Sequence, residues 1–276
     1  MSMLRNLRKI KSAIKYGGYN EINIAQIQYS NILRNKKVLV TGGATGIGYE
    51  IAKKCVDCGA DVLITGRNQK KLAKAVQGFQ GKMQYLLWDI TDISIVEKSV
   101  EKVEELFNGT IDCLVNNAGI QPSQFFPSVE ESEWDHVYNT NSKGMFFLTQ
   151  AICKKWMSKK TNYYRKIINI DSQGGFVGAT YPYRMTKWDI RGLTQGLGIK
   201  MAQYGVLVNG IAPGVVKTEM QEFAVKQGEN TFCNQNLLYR VALPVEVAEL
   251  ALFMLSDACN FMVGQTILID GGFSLK

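Results

Sequence analysis

From Lys37 onward the chain alternates short apolar runs with longer stretches whose apolar residues recur at helical spacing. The runs are "VLVTG" (38–42), "DVLITGR" (61–67), "MQYLLWD" (83–89), "IDCLVNNAG" (111–119), "KIINIDS" (166–172), "GVLVNGIAPG" (205–214) and "QTILIDGG" (265–272). Short continuous apolar runs of this kind, several ending in Gly, Asn, Asp or Ser, read as strands buried on both faces. After the first of them Ile47, Ile51, Ala52 and Cys55 keep a helical period, and Gly59 supplies a stop. Further helices are predicted near 93–107, 130–157, 182–203 and 244–256. Strands alternating with helices imply βαβ units. The expected fold is therefore α/β: a doubly wound parallel sheet of about seven strands with helices on both faces.

In such a sheet every strand points its C-terminal end at one edge, and ligands bind there, near the point where the strand order reverses. The unusual polar residues of this sequence cluster at that edge. Strand one ends in "TGGATGIG", in which Gly42, Gly46 and Gly48 make a GxxxGxG turn with Thr45 just before and Ile47 just after its second glycine. Glycine lets the turn take positive φ and lets a pyrophosphate approach the backbone, while the helix that follows offers unpaired N–H groups. A turn of this kind between a strand and a helix, at the start of a βαβ unit, reads as a phosphate cradle.

Composition narrows the classes. The chain has 276 residues, 46% of them hydrophobic and 20% charged, enough for a sizeable core. It contains no run of about 18 apolar residues, and its basic N-terminus has no continuous apolar stretch, so a cytoplasmic protein without a membrane span is expected. Residues 1–37 hold eight of the Lys and Arg residues against Glu21 alone, and the rest of the chain is nearly neutral, so no nucleic-acid surface is expected. The six cysteines sit mostly in apolar segments. Cys55 and Cys58 form a CxxC, but with one histidine, His136, and no second CxxC, no metal site is expected.

Five motifs now stand in one order: "TGGATGIG", "NNAG" (116–119), "YRMTK" (183–187), "VNGIAPG" (208–214) and "IDGG" (269–272). In order and spacing the chain resembles the short-chain dehydrogenase/reductase family over about residues 36–276, among members of the 3-oxoacyl-reductase and sugar or polyol dehydrogenase type. The resemblance implies one Rossmann-like domain and a nicotinamide cofactor. It also implies hydride transfer between that cofactor and an alcohol or carbonyl carbon. Asn141, Ser172, Tyr183 and Lys187 match the family's catalytic positions. Gly42, Thr45, Gly46, Ile47, Gly48, Arg67, Asp89, Asn117, Ala118, Gly119, Pro213, Gly214 and Thr218 fall where the family holds its cofactor. Asn116 matches a residue that steadies the central strand. Asp89 could instead cap the turn near Thr91 or Asp92, and Asn139 rivals Asn141 by spacing alone.

Tyr183 and Lys187 are i and i+4 on a helix and share a face. A phenol with a reference pKa of about 10 is a poor proton shuttle near neutrality, and a nearby ammonium favours its ionised form. Ser172 would hold the substrate oxygen beside Tyr183. The family commonly has a second serine where this chain has Asp171, and the Ser172–Tyr183 spacing of eleven is shorter than usual. Tyr181, six positions from Lys187, lines the pocket or packs beside Pro182. At the end of strand two, where an acidic residue would accept hydrogen bonds from a ribose 2′-hydroxyl, the chain has Gly66 followed by Arg67, which can pair with a 2′-phosphate. NADP(H) is therefore favoured over NAD(H), although relatives that bind NADP often carry a basic residue where this chain has Thr45.

The alternative from another class is a non-catalytic nucleotide-binding or scaffold protein that kept the fold, and the intact Ser172, Tyr183 and Lys187 weigh against it. A nucleotide-sugar epimerase or dehydratase would usually have a longer C-terminal region. Candidate substrates are a 3-oxoacyl thioester, a sugar or polyol, and a hydrophobic ketone. The segment at about 219–240, with Phe223, Phe232, Leu237, Leu238 and Tyr239, supplies either an apolar pocket wall or an amphipathic lid helix. A homodimer or homotetramer through the helices around 130–157 and 182–203 is expected. Residues 1–35 form a basic extension in which Leu4, Leu7 and Ile14 share a helical stripe. It packs on its own oligomer or hangs as a loose arm in preference to lying on a membrane surface.

Overall fold

The computed structural model describes residues 30–159, 161–219 and 231–276. The amphipathic stripe at Leu4, Leu7 and Ile14 and the lid residue Phe223 lie outside the described residues. Seven parallel strands form one sheet: β1 (Lys37–Thr41), β2 (Asp61–Gly66), β3 (Met83–Leu87), β4 (Cys113–Asn116), β5 (Arg165–Ile170), β6 (Val206–Pro213) and β7 (Thr266–Ile269), in the order β3-β2-β1-β4-β5-β6-β7. The order reverses between β1 and β4, and this switch point fixes where a ligand groove can open.

The sheet separates two cores because successive strand residues point to opposite faces. Val38, Val40, Val62, Ile64, Cys113 and Val115 join one cluster, and Leu39, Leu63 and Leu114 join the other. The first is covered by α1 (Gly46–Asp57), α2 (Gln69–Ala75) and α7 (Pro244–Leu255). Packed on the second are α3 (Val96–Leu106) and α5 (Met145–Ser158), with Met201 from the end of α6 (Pro182–Met201). Leu33, 1% exposed, belongs to the first core, and its amide donates to the Cys58 carbonyl at the end of α1 (3.0 Å). All six cysteines are unpaired and buried, and burial raises the Cys55 thiol well above its ordinary value.

Two elements differ from the sequence expectation. The helix α2 was not anticipated. It is seven residues long, too short to show much of a period, and starts from the Asn68 side chain, which accepts from the Lys71 amide (3.0 Å). The single helix expected at 130–157 is α4 (Glu131–Tyr138), a π-helical turn at Asn139–Gly144, and then α5. The wider turn accommodates one extra residue, a device frequent at functional sites. At Gly144 a Cβ would lie 2.6 Å from the Ile90 carbonyl oxygen, so the turn is pressed against the loop after β3.

Beneath the switch point runs a chain of buried amides and hydroxyls. Asn116 donates to Thr149 on α5 (2.9 Å) and to Asn169 on β5 (2.9 Å), and Asn169 donates to Thr194 on α6 (2.8 Å). Buried polar groups specify one arrangement when they are paired, and here they tie two strands and two helices together.

Above them, the glycine turn closes against the end of β4. Asn117 Nδ2 donates to the carbonyl oxygens of Thr41 (2.9 Å) and Gly42 (3.0 Å), and Thr41 Oγ1 accepts from the amides of Asn117 and Ala118 (3.0 Å each). At Gly48 a Cβ would fall 2.3 Å from Asn117 Nδ2 and 2.6 Å from the Gly42 carbonyl oxygen, so the first turn of α1 has no room for a side chain. Alanine would ordinarily stabilise a helical position by about 1 kcal/mol relative to glycine. The clash outweighs that gain, and Gly48→Ala is expected to cost roughly 1–3 kcal/mol, the range for overpacked sites. Urea unfolding checks this, and a variant as stable as the parent or more so contradicts it.

Candidate active site

The groove at the switch point is built from strand ends and one helix start. It encloses about 250 Å³ and is lined by Gly42, Thr45, Gly46, Ile47, Arg67, Asp89, Asn117, Ala118, Gly119 and Thr218 of the expected set. Thr65, Gly66, Trp88, Thr140 and Glu219 also line it. Thr45 precedes α1 with extended backbone and makes no side-chain cap, so the first amides of α1 have no partner from it. Gly46, at φ +58, turns the chain into the helix with its missing Cβ facing Thr218. This arrangement fits a dinucleotide: a strand-to-helix turn with unpaired helix amides, opened by glycines whose side chains would fill it.

The remaining expected residues take distinct places. Gly48 lies behind the turn against Asn117. Arg67 is exposed at the rim. At Gly66 an added Cβ would make only ordinary contact, 3.6 Å from Leu72, so packing does not forbid a carboxylate there. Asp89 Oδ1 accepts from the amide (3.0 Å) and hydroxyl (2.8 Å) of Thr91, while Asp92 caps the next helical turn through the Ser94 amide (3.1 Å). Asp89 thus makes the local turn and also lines the groove.

A second cavity, about 80 Å³, continues inward and shares Ile47, Asn117, Gly119 and Thr218 with the first. It brings together Ser172, Tyr183, Lys187, Pro213 and Gly214, with Asp171 and Gln121. Ser172 follows β5 and accepts from the Gly174 amide (3.1 Å), which caps the 3₁₀ turn Gln173–Phe176 and leaves the hydroxyl hydrogen to be donated elsewhere. The short loop before Tyr183 is taken up by that turn. On α6, Lys187 lies one turn beyond Tyr183, with its ammonium 5.4 Å from the phenol ring centre. The ammonium donates to the Ile170 carbonyl (3.0 Å).

Burial dominates the electrostatics. It raises the Tyr183 phenol; hydrogen bonding by Ser172 and Gln121 favours the phenolate, and the Asp171 charge opposes it. Lys187 is buried, the residue being 6% exposed; burial lowers the pKa of its ammonium and the Asp171 charge holds it up. The expectation that Lys187 governs the phenol is thus altered in emphasis: desolvation acts most strongly, and the phenol is protonated near neutrality.

Asn141 lines neither cavity. It is 1% exposed in the π-helical turn, its Oδ1 accepting from the Ile120 amide (2.9 Å) and its Nδ2 donating to the Ile120 carbonyl (3.0 Å) and Thr186 Oγ1 (3.3 Å). Its rival Asn139 faces an outer groove between α4 and α6. Tyr181 is the residue before α6, packed edge-to-face on Phe125 with ring centres 4.9 Å apart, and does not line the inner cavity. Gln121 escaped sequence reasoning, and its position two residues past "NNAG" was the available signal. The described part of the 219–240 segment contains no helix. Residues 231–240 are turns closed by a Phe232–Arg240 bridge and an Arg240–Glu246 ion pair (2.7 Å). Leu237 and Leu238 are exposed. Among the described residues no helix is long and apolar enough to cross a membrane.

Comparison with known proteins agrees with this geometry. A family profile described as short chain dehydrogenase matches residues 36–229. A gluconate 5-dehydrogenase of Gluconobacter oxydans (strain 621H) is 33% identical over 88% of this chain and 96% of its own length. A 3-oxoacyl-(acyl-carrier-protein) reductase of Thermotoga maritima is 35% identical over 87% and 98%. The crystal structure of a short chain dehydrogenase from Burkholderia cenocepacia J2315 in complex with NADP superposes with a TM-score of 0.78 at 28% identity, covering 88% of this chain and 99% of that one. The matched length, the seven-stranded sheet and the nucleotide groove lead to one conclusion: the chain belongs to the short-chain dehydrogenase/reductase family, nicotinamide-dependent oxidoreductases acting on CH–OH or C=O groups.

Proposed function

We propose that the chain transfers a hydride between NADP(H) and a carbonyl or secondary-alcohol carbon, using Ser172, Tyr183, Lys187 and Asn141. The observation that carries this reading is the inner cavity, which holds Ser172, Tyr183 and Lys187 and opens into the dinucleotide groove through Ile47, Asn117, Gly119 and Thr218. When bound, a nicotinamide supplies or accepts the hydride. All other steps fall to side chains. The Ser172 hydroxyl donates to the substrate oxygen and holds it beside Tyr183. In reduction the Tyr183 O–H bond breaks as the new alcohol O–H bond forms, and the Lys187 ammonium stabilises the phenolate left behind. Asn141 holds Ile120 and Thr186 in place, and so the helix that carries Tyr183; the family resemblance assigns it, in addition, a water that feeds protons to Lys187.

Arg67 at the rim and the missing carboxylate at Gly66 support NADP(H), and the B. cenocepacia relative is described in complex with NADP. Lys71, nearby, pairs with Glu219 (2.5 Å), while Arg67 lines the groove, where it can meet a 2′-phosphate. The small inner cavity suits the reacting end of a substrate whose remainder extends outward. Gluconate and 3-oxoacyl compounds, named in two relatives, share such a reacting end and differ in the remainder. A homodimer or homotetramer is inferred through α4–α6, where Phe146, Phe147 and Trp188 expose apolar surface.

Two substitutions test this. Tyr183→Phe removes the proton donor and is expected to lower turnover by about 10²–10⁴-fold, the usual weight of general acid catalysis, with cofactor affinity nearly unchanged. Near-normal turnover would remove the mechanism. Gly66→Asp with Arg67→Ala exchanges a 2′-phosphate partner for a 2′-hydroxyl partner. It should move the NADPH/NADH preference in kcat/KM by roughly tenfold or more towards NADH, given about 1.5–3 kcal/mol per charged hydrogen bond. An unmoved preference contradicts the assignment.

A further inference from the structure

The reaction above leaves one carboxyl group of the inner cavity without a part. Asp171 directly follows β5, between Ile170, whose carbonyl receives the Lys187 ammonium, and Ser172. Its side chain is buried, the residue being 3% exposed, and neither Oδ1 nor Oδ2 makes a hydrogen bond of ordinary geometry. Asp270, which follows β7, provides an internal contrast. Its Oδ1 accepts from the Gly272 amide and its Oδ2 from the Ser274 amide, both at 2.9 Å, and those bonds hold its carboxyl below the ordinary value. Asp270 is a structural cap, and Asp171 caps nothing.

The surroundings of Asp171 are charged on one side only. From α6 come Tyr183, Lys187 and Arg191, and from its own strand end comes the Ser172 amide. Arg191 is partly committed elsewhere, donating to the Gly175 carbonyl (3.2 Å) and lying over the Phe176 ring at 4.0 Å. Among the described residues, the strand ends of β4 and β6 and the turn at 173–176 bring no titratable group to it. Gly175 presses on the carboxyl so closely that a Cβ there would meet both oxygens at 3.0 Å, which keeps the group inside the cavity.

We propose that Asp171 is a positioning residue for proton transfer: its carboxylate offsets the Lys187 ammonium and thereby sets the pH at which Tyr183 changes from proton donor to proton acceptor. The inference rests on Tyr183 being the donor. An ionised Asp171 favours protonated Lys187 and disfavours the Tyr183 phenolate, so both effects keep protons in the cavity. Burial pushes the carboxyl up to about 7, so this influence switches on as pH rises through neutrality. From there upward the phenol resists ionisation, and the protonated form needed for carbonyl reduction extends to higher pH. These groups titrate together, so the limb of a rate profile belongs to the cluster.

Two measurements on the full chain test this. In cofactor-free protein labelled at aspartate, the carboxyl-carbon NMR signal that is absent from Asp171→Asn should titrate near 7. A midpoint in the ordinary carboxylate range of about 4 overturns the inference. In the pH profile of carbonyl reduction, the alkaline limb should move to lower pH by about half a unit or more in both Asp171→Asn and Asp171→Ser, since each removes the charge. A limb unmoved in both, moved upward, or moved in only one overturns it, the last because geometry would then be the cause. Tyr183→Phe separates the two levels: if it retains turnover, the reading of the site fails, whereas an inactive Tyr183→Phe with an unmoved limb removes only the role of Asp171. The NMR titration decides even where one of the two variants fails to fold, because the Asp171 signal is equally absent from the other.

Discussion

The site depends on how closely two strand ends can approach at the switch point. One side-chain amide, that of Asn117, bonds the carbonyls of Thr41 and Gly42 and holds the glycine turn against the end of β4. That contact leaves no space for a Cβ at Gly48 behind the turn, while the uncapped start of α1 at Thr45 and Gly46 faces the groove, open to a phosphate. The loop beyond Asn117 then delivers Ile120 to Asn141, and Asn141 reaches Thr186, which accepts from Asn141 and donates to the Tyr183 carbonyl (2.7 Å). The groove and Tyr183 are thus joined by one short loop and the hydrogen bonds of Asn141 and Thr186. Beneath them the Asn116–Asn169–Thr194 chain fixes β4, β5 and α6 relative to one another.

Within the inner cavity, desolvation decides the charge states. A buried ammonium and a buried carboxyl would each lose charge if alone, and at Lys187 and Asp171 each restrains the other. Lys187 has one carbonyl partner, Ile170, and further donors for a ligand hydroxyl. The phenol between Ser172 and Gln121 is held in its neutral form, the form that gives a proton to a carbonyl oxygen. The arrangement couples the fold to the chemistry, because the same strand end that terminates β5 supplies Asp171, Ser172 and the carbonyl on Lys187.

The sheet was legible because strands buried on both faces read as apolar runs, and all seven appear within a few residues of their expected limits. Motifs at strand ends were legible for a related reason: a turn such as "TGGATGIG" has few backbone solutions. The π-helical turn was not, since one inserted residue barely disturbs helical periodicity; it aims Asn141 at Ile120 and Asn139 at the outer groove. Gln121 lies in a loop without a pattern, and its nearness to Tyr183 arises from a long-range contact. Asp171 was visible as an unusual letter, but the bareness of its oxygens follows from Gly175 and α6, which no local pattern encodes.

The proposed reaction moves a hydride between a nicotinamide seated at the switch point and a carbon held beside Tyr183. Reduction of a panel of sugar-derived and oxoacyl carbonyl compounds with NADPH deuterated on one or the other face of its ring, with mass spectrometry of the products, tests it most directly. Deuterium is expected to enter the new carbinol carbon from one face only. Label from both faces, or no label in any product while the nucleotide is still oxidised, would contradict it.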